Sequence, residues 1–252
     1  MLGNLKKRSI LIAIPFFNEE AGILNFSKVL NKIYQKSKFY NNFNFKFLFV
    51  DDGSSDKTFF LLNQLKNNNK NIPITIHKHK RNLGYGATLQ SSIKIANEDY
   101  LIIYDSDCSY DYQLIFKLID KIMLRRFDII NISYKLKSTK HKINFFRQLL
   151  SNGSSLVYKL FFKDITKKNI TVLTCSFRIY DLNNIKKIKI DSNDFNACSE
   201  ILIKALIKNY KILEIPGKLK QRKFGYSKMN IIKNTINHLK FIFKIKFSLA
   251  FI

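Results

Sequence analysis

The stretch YLIIYDSDCSYD, Tyr100–Asp111, decides how the rest of the chain is read. The apolar run Tyr100–Tyr104 leads directly into Asp105, Ser106 and Asp107. A short apolar run bounded by turn residues reads as a buried strand. Two carboxylates, one residue apart, then stand just beyond its carboxyl end. In open sheets of parallel strands, that edge is where ligands bind. Two hard oxygen donors on one turn suit Mg²⁺ or Mn²⁺, and such a cation neutralises a diphosphate. Taken alone, a D-x-D reads as a solvated turn; its place at a strand end gives it weight.

The same alternation recurs on either side of this stretch. Ile10–Phe16 is a continuous apolar run with β-branched residues and reads as a buried first strand. A helix is expected over Glu19–Lys36, where Ile23, Val29, Leu30 and Ile33 fall near helical spacing. Phe45–Val50 reads as a strand ending in Asp51-Asp52-Gly53-Ser54-Ser55, followed by a helix over Asp56–Leu65. Ile72–His77 reads as a strand, and a basic glycine-containing loop leads into a helix to about Ala96. Tyr112–Leu124 reads as helix and Asp128–Ser133 as strand. Strands alternating with helices imply an α/β fold: a mostly parallel, Rossmann-like sheet with helices on both faces. Beyond Ser133 come a basic segment, a helix expected near Phe145–Phe162 and an irregular region TVLTCSFRIYD (Thr171–Asp181). A helix over Phe195–Ile207, a strand over Lys211–Ile215 and QRKFGYSK (Gln221–Lys228) follow.

Composition narrows the function classes. The 252 residues suffice for one large α/β domain, and 46% hydrophobic content argues for a packed core rather than disorder. The formal charge is +26, yet twelve of the 18 acids lie at or before Asp128. The basic remainder fits a negative partner: nucleic acid, an anionic membrane surface or a phosphorylated substrate. Cys108, Cys175 and Cys198 show no C-x-x-C spacing, which argues against a zinc ribbon or a disulfide framework and fits a reducing compartment. The basic then apolar N-terminus reads as a first core strand rather than a signal peptide. No run reaches the ~18 apolar residues that span a bilayer.

Two further motifs carry chemistry. In VDDGSSDKT (Val50–Thr58), Gly53 and the serines permit a tight loop and Asp56 can cap the next helix. A carboxylate there can accept from a nucleobase ring N–H, so a base- or ribose-binding role is expected. HKHKRNLGYGATL (His77–Leu89) holds Gly84-x-Gly86, but Leu89 stands where a dinucleotide fingerprint has its third glycine, and the motif does not follow the first strand. No Walker motif is present, and His77-x-His79 lacks a third ligand of matching spacing. His79 and Arg81 are instead expected near a phosphate.

IPFFNEE, VDDGSSDKT, RNLGYGATLQSSIKIANEDYLIIYDSD and RKFGYSK, in that order, resemble family 2 glycosyltransferases of the GT-A fold. Within that family they are most similar to the dolichyl- or polyprenyl-phosphate sugar synthase branch. The resemblance covers about Ile10 to Lys228 and implies a nucleotide-sugar donor (GDP- or UDP-hexose), a divalent metal and inversion at the anomeric carbon. It implies that Pro15, Asn18 and Glu19 shape the nucleotide pocket, that Asp52 with Asp51 contacts the base, and that Asp105 and Asp107 organise metal and diphosphate. Arg81 and Gly84 join the donor side. An arginine-and-serine helix matches at Arg147 and Ser151, and the R-x-x-G-x-S-K motif at Arg222, Gly225, Ser227 and Lys228, near acceptor and donor phosphates. Three departures stand out: Ser109 where some synthases have a metal-binding glutamine, Val172-Leu173-Thr174-Cys175-Ser176-Phe177 for D-x-T-S-G-F, and Ser155 for an asparagine after the Arg/Ser pair.

A lipid monophosphate acceptor is already anionic near pH 7 and needs positioning, for which Lys135, Arg147 and Arg222 are the candidates. A saccharide hydroxyl acceptor, as in surface polysaccharide synthesis, requires a general base, and Glu200 is the candidate. The expected organisation is a GT-A domain over 1–228, with a nucleotide-sugar half to about 133 and an acceptor half beyond it. A C-terminal amphipathic helix over 229–252 follows. Its Ile232, Ile236, Leu239 and Phe243 share one face, with Lys233, Asn237, Lys240 and Lys244 along another. That pattern fits an anionic membrane surface, at the cytoplasmic inner face, or docking on the protein's own core. From another class, a basic nucleic-acid-binding protein accounts for the charge but not for three acidic strand ends; no nucleic acid partner is expected.

Overall fold

The computed structural model describes residues 7–124, 126–136, 170–222, 224–225, 236–237 and 240–243. The expected helix near 145–162, and the site candidates Arg147, Ser151, Ser227 and Lys228, lie outside the described residues.

The first strand, β1 (Arg8–Phe16), is buried on both faces from Ile10 onward. It pairs parallel with β2 (Phe43–Asp51) on one side and with β4 (Tyr100–Ile103) on the other. β3 (Ile74–Lys78) extends the sheet beyond β2. The full order is β3-β2-β1-β4-β6-β5-β7, with β5 at Ile129–Ser133, β6 at Arg178–Asp181 and β7 at Ile212–Pro216. All pairings are parallel except those of β6, which runs antiparallel between β4 and β5. The carboxyl ends of β1, β2, β4, β5 and β7 and the amino end of β6 therefore share one edge.

Side-chain alternation sends the two faces of the sheet into two cores. Ile10, Ile12, Ile14 and Phe16 join Phe43, Phe45, Phe47 and Phe49 beneath α1 (Ile23–Ser37), α2 (Thr58–Asn68) and α4 (Gln113–Ile122). Helix α1 delivers Ile23, Phe26, Leu30 and Ile33 to this core at steps of three and four. A mutually edge-on triangle of Phe16, Phe26 and Phe49, with centroids 5.1–5.5 Å apart, sits beneath the end of β1. Leu11, Ala13, Leu48 and Val50 face the other way, against α3 (Tyr85–Ile95), the short α5 (Leu182–Ile185) and α6 (Asn196–Ile207).

Two expectations are corrected here. The helix expected from Glu19 begins as a 3₁₀ turn, Glu20–Gly22, before α1 proper. The second half of the segment expected to be irregular, Arg178–Asp181, is an interior strand. Its opening arginine disguises it. Arg178 is fully buried, and its guanidinium donates to Asn131 Oδ1 at 2.8 Å, Cys198 O at 2.6 Å and Leu173 O at 2.6 Å. The fork thus ties β6 to β5, to α6 and to the loop that precedes it.

The described part of the tail is helical. Phe241 and Ile242 bury in the second core, while Ile236 and Phe243, two members of the expected apolar stripe, remain 48% and 52% exposed. Among the described tail residues, the two that dock lie outside that stripe, and two members of the stripe face outward.

Removing the buried fork takes a charged donor away from three buried acceptors, Asn131 Oδ1, Leu173 O and the helical carbonyl of Cys198. Arg178→Leu is expected to destabilise the fold by on the order of 3 kcal/mol in urea unfolding. Arg126→Leu, at an exposed position, should change stability by about 0.5 kcal/mol or less. Equal midpoints for the two variants would refute the structural role of Arg178.

Candidate active site

The in-register pairing of β1 with its neighbours brings three polar turns to one edge. Phe16 lies opposite Asp51, and Ala13 opposite Ile103, two residues before Asp105. Buried Pro15 pairs with Val50 in the same ladder. Asn18, in the left-handed region at φ 52°, accepts from Ser55 N–H at 2.9 Å and donates its own N–H to Ser54 Oγ at 2.9 Å. Glu19 N–H donates to Thr58 Oγ1 at 2.7 Å. The first polar turn is thereby laced to the second.

The neighbouring carboxylates Asp51 and Asp52 are used differently. Asp51 is fully buried; its Oδ1 accepts from Ser54 N–H and Oγ–H, and its Oδ2 has no donor among the described residues. Asp52 is committed on both oxygens. Oδ1 meets His79 Nδ1 at 2.7 Å and Leu83 N–H at 3.0 Å; Oδ2 accepts from Asn82 Nδ2 at 3.0 Å and Gly84 N–H at 2.8 Å. Asp52 is therefore the anchor of the 79–84 loop, and within this acid pair the uncommitted oxygen belongs to Asp51. His79, expected near a phosphate, is buried with its second nitrogen 2.8 Å from Ser91 Oγ. Arg81 meets the acid turn through its backbone alone: Gly53, at φ 67°, packs so closely on it that a Cβ there would sit 2.3 Å from the Arg81 carbonyl carbon. Gly84, at φ 101°, is pressed as closely against Asn193 O.

Asp105 and Asp107 stand at the end of β4 as expected. Tyr85 Oη donates to Asp105 Oδ1 at 2.9 Å, and Ser176 Oγ to Asp105 Oδ2 at 2.6 Å. Burial, then the charge of Asp105, pushes the Tyr85 phenol well above the usual tyrosine range, so it remains a donor at neutral pH. Ser109 contributes its backbone N–H to Asp107 Oδ1 at 2.9 Å. Arg222 lies across the cluster: Nη2 pairs with Glu19 Oε2, and Nη1 is 3.9 Å from Asp107 Oδ2. The segment before it is fastened to the acid turn by Lys220 N–H to Ser109 O at 2.7 Å and by a Tyr110–Leu219 bridge. Lys135 follows the carboxyl end of β5 on the same edge, half-buried.

Among the described residues no three His, Cys, Asp or Glu side chains form a metal-holding cluster. The donor set still fits a hard divalent cation. Mg²⁺ takes one or two carboxylates and fills the remaining positions with water and substrate phosphate oxygens. Asp105 and Asp107 would supply that pair.

Glu200 departs from its expected role. It is fully buried on α6; its oxygens accept from Asp191 N–H at 2.9 Å and Ser192 N–H at 2.8 Å, and Lys204 Nζ pairs with it at 2.5 Å. Sealed by these partners, it organises the 191–194 loop rather than presenting an open base. Sequence reading also passed over Tyr85, Ser176, Arg178 and Glu214. Glu214, on β7, binds Thr171 N–H at 2.7 Å, Val172 N–H at 3.1 Å and Asn131 Nδ2 at 2.8 Å, so it holds the start of the Ser176 loop. The period-2 pattern of β7 places Glu214 on the face of Ile212, but nothing in the sequence names its partners.

A mostly parallel sheet with antiparallel β6 and a D-x-D at its ligand edge is the GT-A fold. The chain belongs to glycosyl transferase family 2, whose family model matches residues 11–189. Among curated relatives, it is 23% identical over 237 residues to the dolichol-phosphate mannosyltransferase of Pyrococcus furiosus, covering 94% of this chain and 63% of that one. It is 22% identical over 249 residues to the dolichyl-phosphate beta-glucosyltransferase of Dictyostelium discoideum, covering 94% of this chain and 73% of that one. Its similarity therefore lies with the polyprenyl-phosphate sugar synthase branch. The chain spans less than two thirds of the length of the Pyrococcus relative. Among solved structures, the glucosyl-3-phosphoglycerate synthase of Mycobacterium tuberculosis, in complex with Mn²⁺, UDP and phosphoglyceric acid, superposes with a TM-score of 0.65. That match has 12% identity and covers 90% of this chain and 74% of that one. Among the described residues no helix is long and apolar enough to cross a membrane.

The two roles open to Glu200 separate on its isosteric amide. Glu200→Gln is expected to lower stability by about 1–3 kcal/mol, because the amide cannot accept at both oxygens. The pH dependence of glycosyl transfer should keep its shape. A loss of roughly 10²–10⁴-fold with disappearance of the acidic limb would instead mark a general base.

Proposed function

We propose that this chain transfers a hexose, with inversion, from a nucleoside diphosphate sugar to a polyprenyl phosphate. The observation that carries the reading is the meeting of Asp105, Asp107, Glu19 and Arg222 at one sheet edge, flanked by the Asp51 turn. Pro15, Asn18, Glu19 and Asp51 frame the nucleoside, with Asp52 holding the loop that carries Arg81 and Gly84 toward the donor phosphates. A Mg²⁺ or Mn²⁺ ion held by Asp105 and Asp107 would neutralise the negative charge developing on the departing nucleoside diphosphate. The Mn²⁺ and UDP bound in the M. tuberculosis enzyme support this reading.

The nucleophile is a phosphate oxygen of the acceptor, which attacks the anomeric carbon as the bond to the diphosphate breaks. Being anionic near pH 7, it needs no base; it needs to be held against its own charge repulsion with the donor. Lys135, Arg147, Ser151, Arg222, Ser227 and Lys228 are assigned to that work, in an acceptor half over about 134–228, while residues to about 133 serve the donor. A saccharide hydroxyl acceptor would need a base. The sealing of Glu200 by Asp191, Ser192 and Lys204 favours the phosphate acceptor. The names of the Pyrococcus and Dictyostelium relatives support the same choice.

The chain is assigned to the cytoplasmic face of a membrane as a peripheral protein. A charge of +26 and the exposed Ile236 and Phe243 beside Lys240 support this. Burying two such side chains is worth about 1.5–3 kcal/mol each, and tail contacts of that size are lost with them. Ile236→Ser with Phe243→Ser is expected to weaken binding to anionic vesicles at least tenfold by sedimentation, leaving the fold intact because Phe241 and Ile242 still dock. Undiminished vesicle binding would remove the tail from the membrane contact.

A panel of UDP- and GDP-hexoses against polyprenyl phosphate and oligosaccharide acceptors tests the reaction. The expected result is Mn²⁺- or Mg²⁺-dependent release of nucleoside diphosphate with polyprenyl phosphate. Asp105→Ala and Asp107→Ala should each reduce it by roughly 10²–10³-fold or more. Turnover confined to saccharide acceptors would overturn the assignment.

A further inference from the structure

The antiparallel pairing of β4 with β6 places Ile103 opposite Arg178. Carried two residues past the end of each strand, that register sets Asp105 opposite Ser176. The hydrogen bond from Ser176 Oγ to Asp105 Oδ2, at 2.6 Å, is made there. From the other side, the first residue of α3 delivers Tyr85 Oη to Asp105 Oδ1 at 2.9 Å. Two hydroxyls from separate elements thus take hold of one carboxylate, one on each oxygen.

Both hydroxyls are themselves held. The Tyr85 ring stacks on Phe195 with centroids 4.5 Å apart and planes 12° from parallel. The start of α3 is fixed by Asn193 O, which accepts from Gly86 N–H at 2.8 Å, and the Asn193 loop is fixed in turn by Glu200. On the Ser176 side, Glu214 pins Thr171 and Val172, and Arg178 binds Leu173 O. Ser176 stands where the resembled D-x-T-S-G-F pattern has glycine, which has no hydroxyl to offer.

We propose that Tyr85 and Ser176 are positioning residues that clamp Asp105 in one plane and one rotamer, so that it meets the divalent cation and diphosphate already oriented. The inference rests on the reading of Asp105 as a cation ligand. A carboxylate ordered before the ligand arrives gives up less side-chain freedom on binding, and hydrogen-bonded supports of this kind set the affinity of the carboxylates they orient. Buried Glu200 and Glu214 act at one remove, through the loops that carry the two hydroxyls.

The test is Mn²⁺ affinity of the full chain, read from the electron paramagnetic resonance signal of free Mn²⁺ in the presence of UDP and, separately, GDP. Tyr85→Phe keeps the stacked ring and loses only the hydroxyl; Ser176→Ala does the same for the serine. Each is expected to weaken Mn²⁺ binding about tenfold, and the pair toward roughly 100-fold. Ser176→Thr, which keeps a hydroxyl, should restore most of the affinity. Thermal midpoints without Mn²⁺ should stay at the wild-type value, which separates positioning from a general packing role. Wild-type Mn²⁺ affinity in both single variants overturns the proposal. Absence of nucleotide-dependent Mn²⁺ binding in the wild-type chain would reject the cation reading of Asp105 itself, and the clamp with it.

Discussion

The structure depends on β1 being paired in parallel on both sides at once. Its ladder with β2 and β4 fixes where three chain segments leave the sheet, and each leaves at the same edge. Because the ladder is in register, the polar residues that follow each strand are delivered within reach of one another: Asn18 to Ser54 and Ser55, Glu19 to Thr58, and the Asp105 turn beside them. A shift of one residue in either pairing would turn the strand's apolar residues to the opposite faces and scatter the three turns. The two faces of β1 pack into two different cores, and that side-chain packing holds the register which sets the geometry of the site.

Six of the 18 acids in this strongly basic chain fall into two tasks. Asp52, Glu200 and Glu214 are buried or half-buried and collect backbone N–H groups, holding the 79–84, 191–194 and 171–172 segments. Buried acceptors of this kind are stable only when their hydrogen bonds are filled. Glu19, Asp105 and Asp107 face the shared edge and meet Arg222, Tyr85 and Ser176. These three segments are therefore tied down by acids other than the three at the edge. The rigidity of the first task supports the orientation required by the second.

The strands β1, β2 and β4 were legible because continuous apolar runs that end in polar, acid-bearing turns can hardly be read otherwise. Asp105, Asp107, Asn18 and the Asp51 turn were legible for the same reason: each is anchored to a strand end. Strand β6 was not legible. It is four residues long and begins with an arginine, and hydropathy reads Arg178 as solvent-facing although its guanidinium is filled by Asn131, Cys198 and Leu173. Glu200 misled in the opposite direction, since a helical glutamate carries the same sequence signature whether it is an open base or a sealed clamp. The docking of Phe241 and Ile242 was not legible either, because it depends on core residues far away in sequence.

By itself the sequence determined the α/β alternation, the parallel sheet, the family and the acids at the strand ends. Each of these is written in local periodicity or in short contiguous motifs. The tertiary structure alone decided which carboxylates are committed. It distinguished Asp51 from Asp52, enclosed Glu200, and set Ser176 and Tyr85 on either side of Asp105. Those outcomes rest on hydrogen bonds between residues as far apart as Asp105 and Ser176, joined by the antiparallel register of β4 and β6. A register between distant strands is a property of the packed sheet, and no local stretch of residues encodes it.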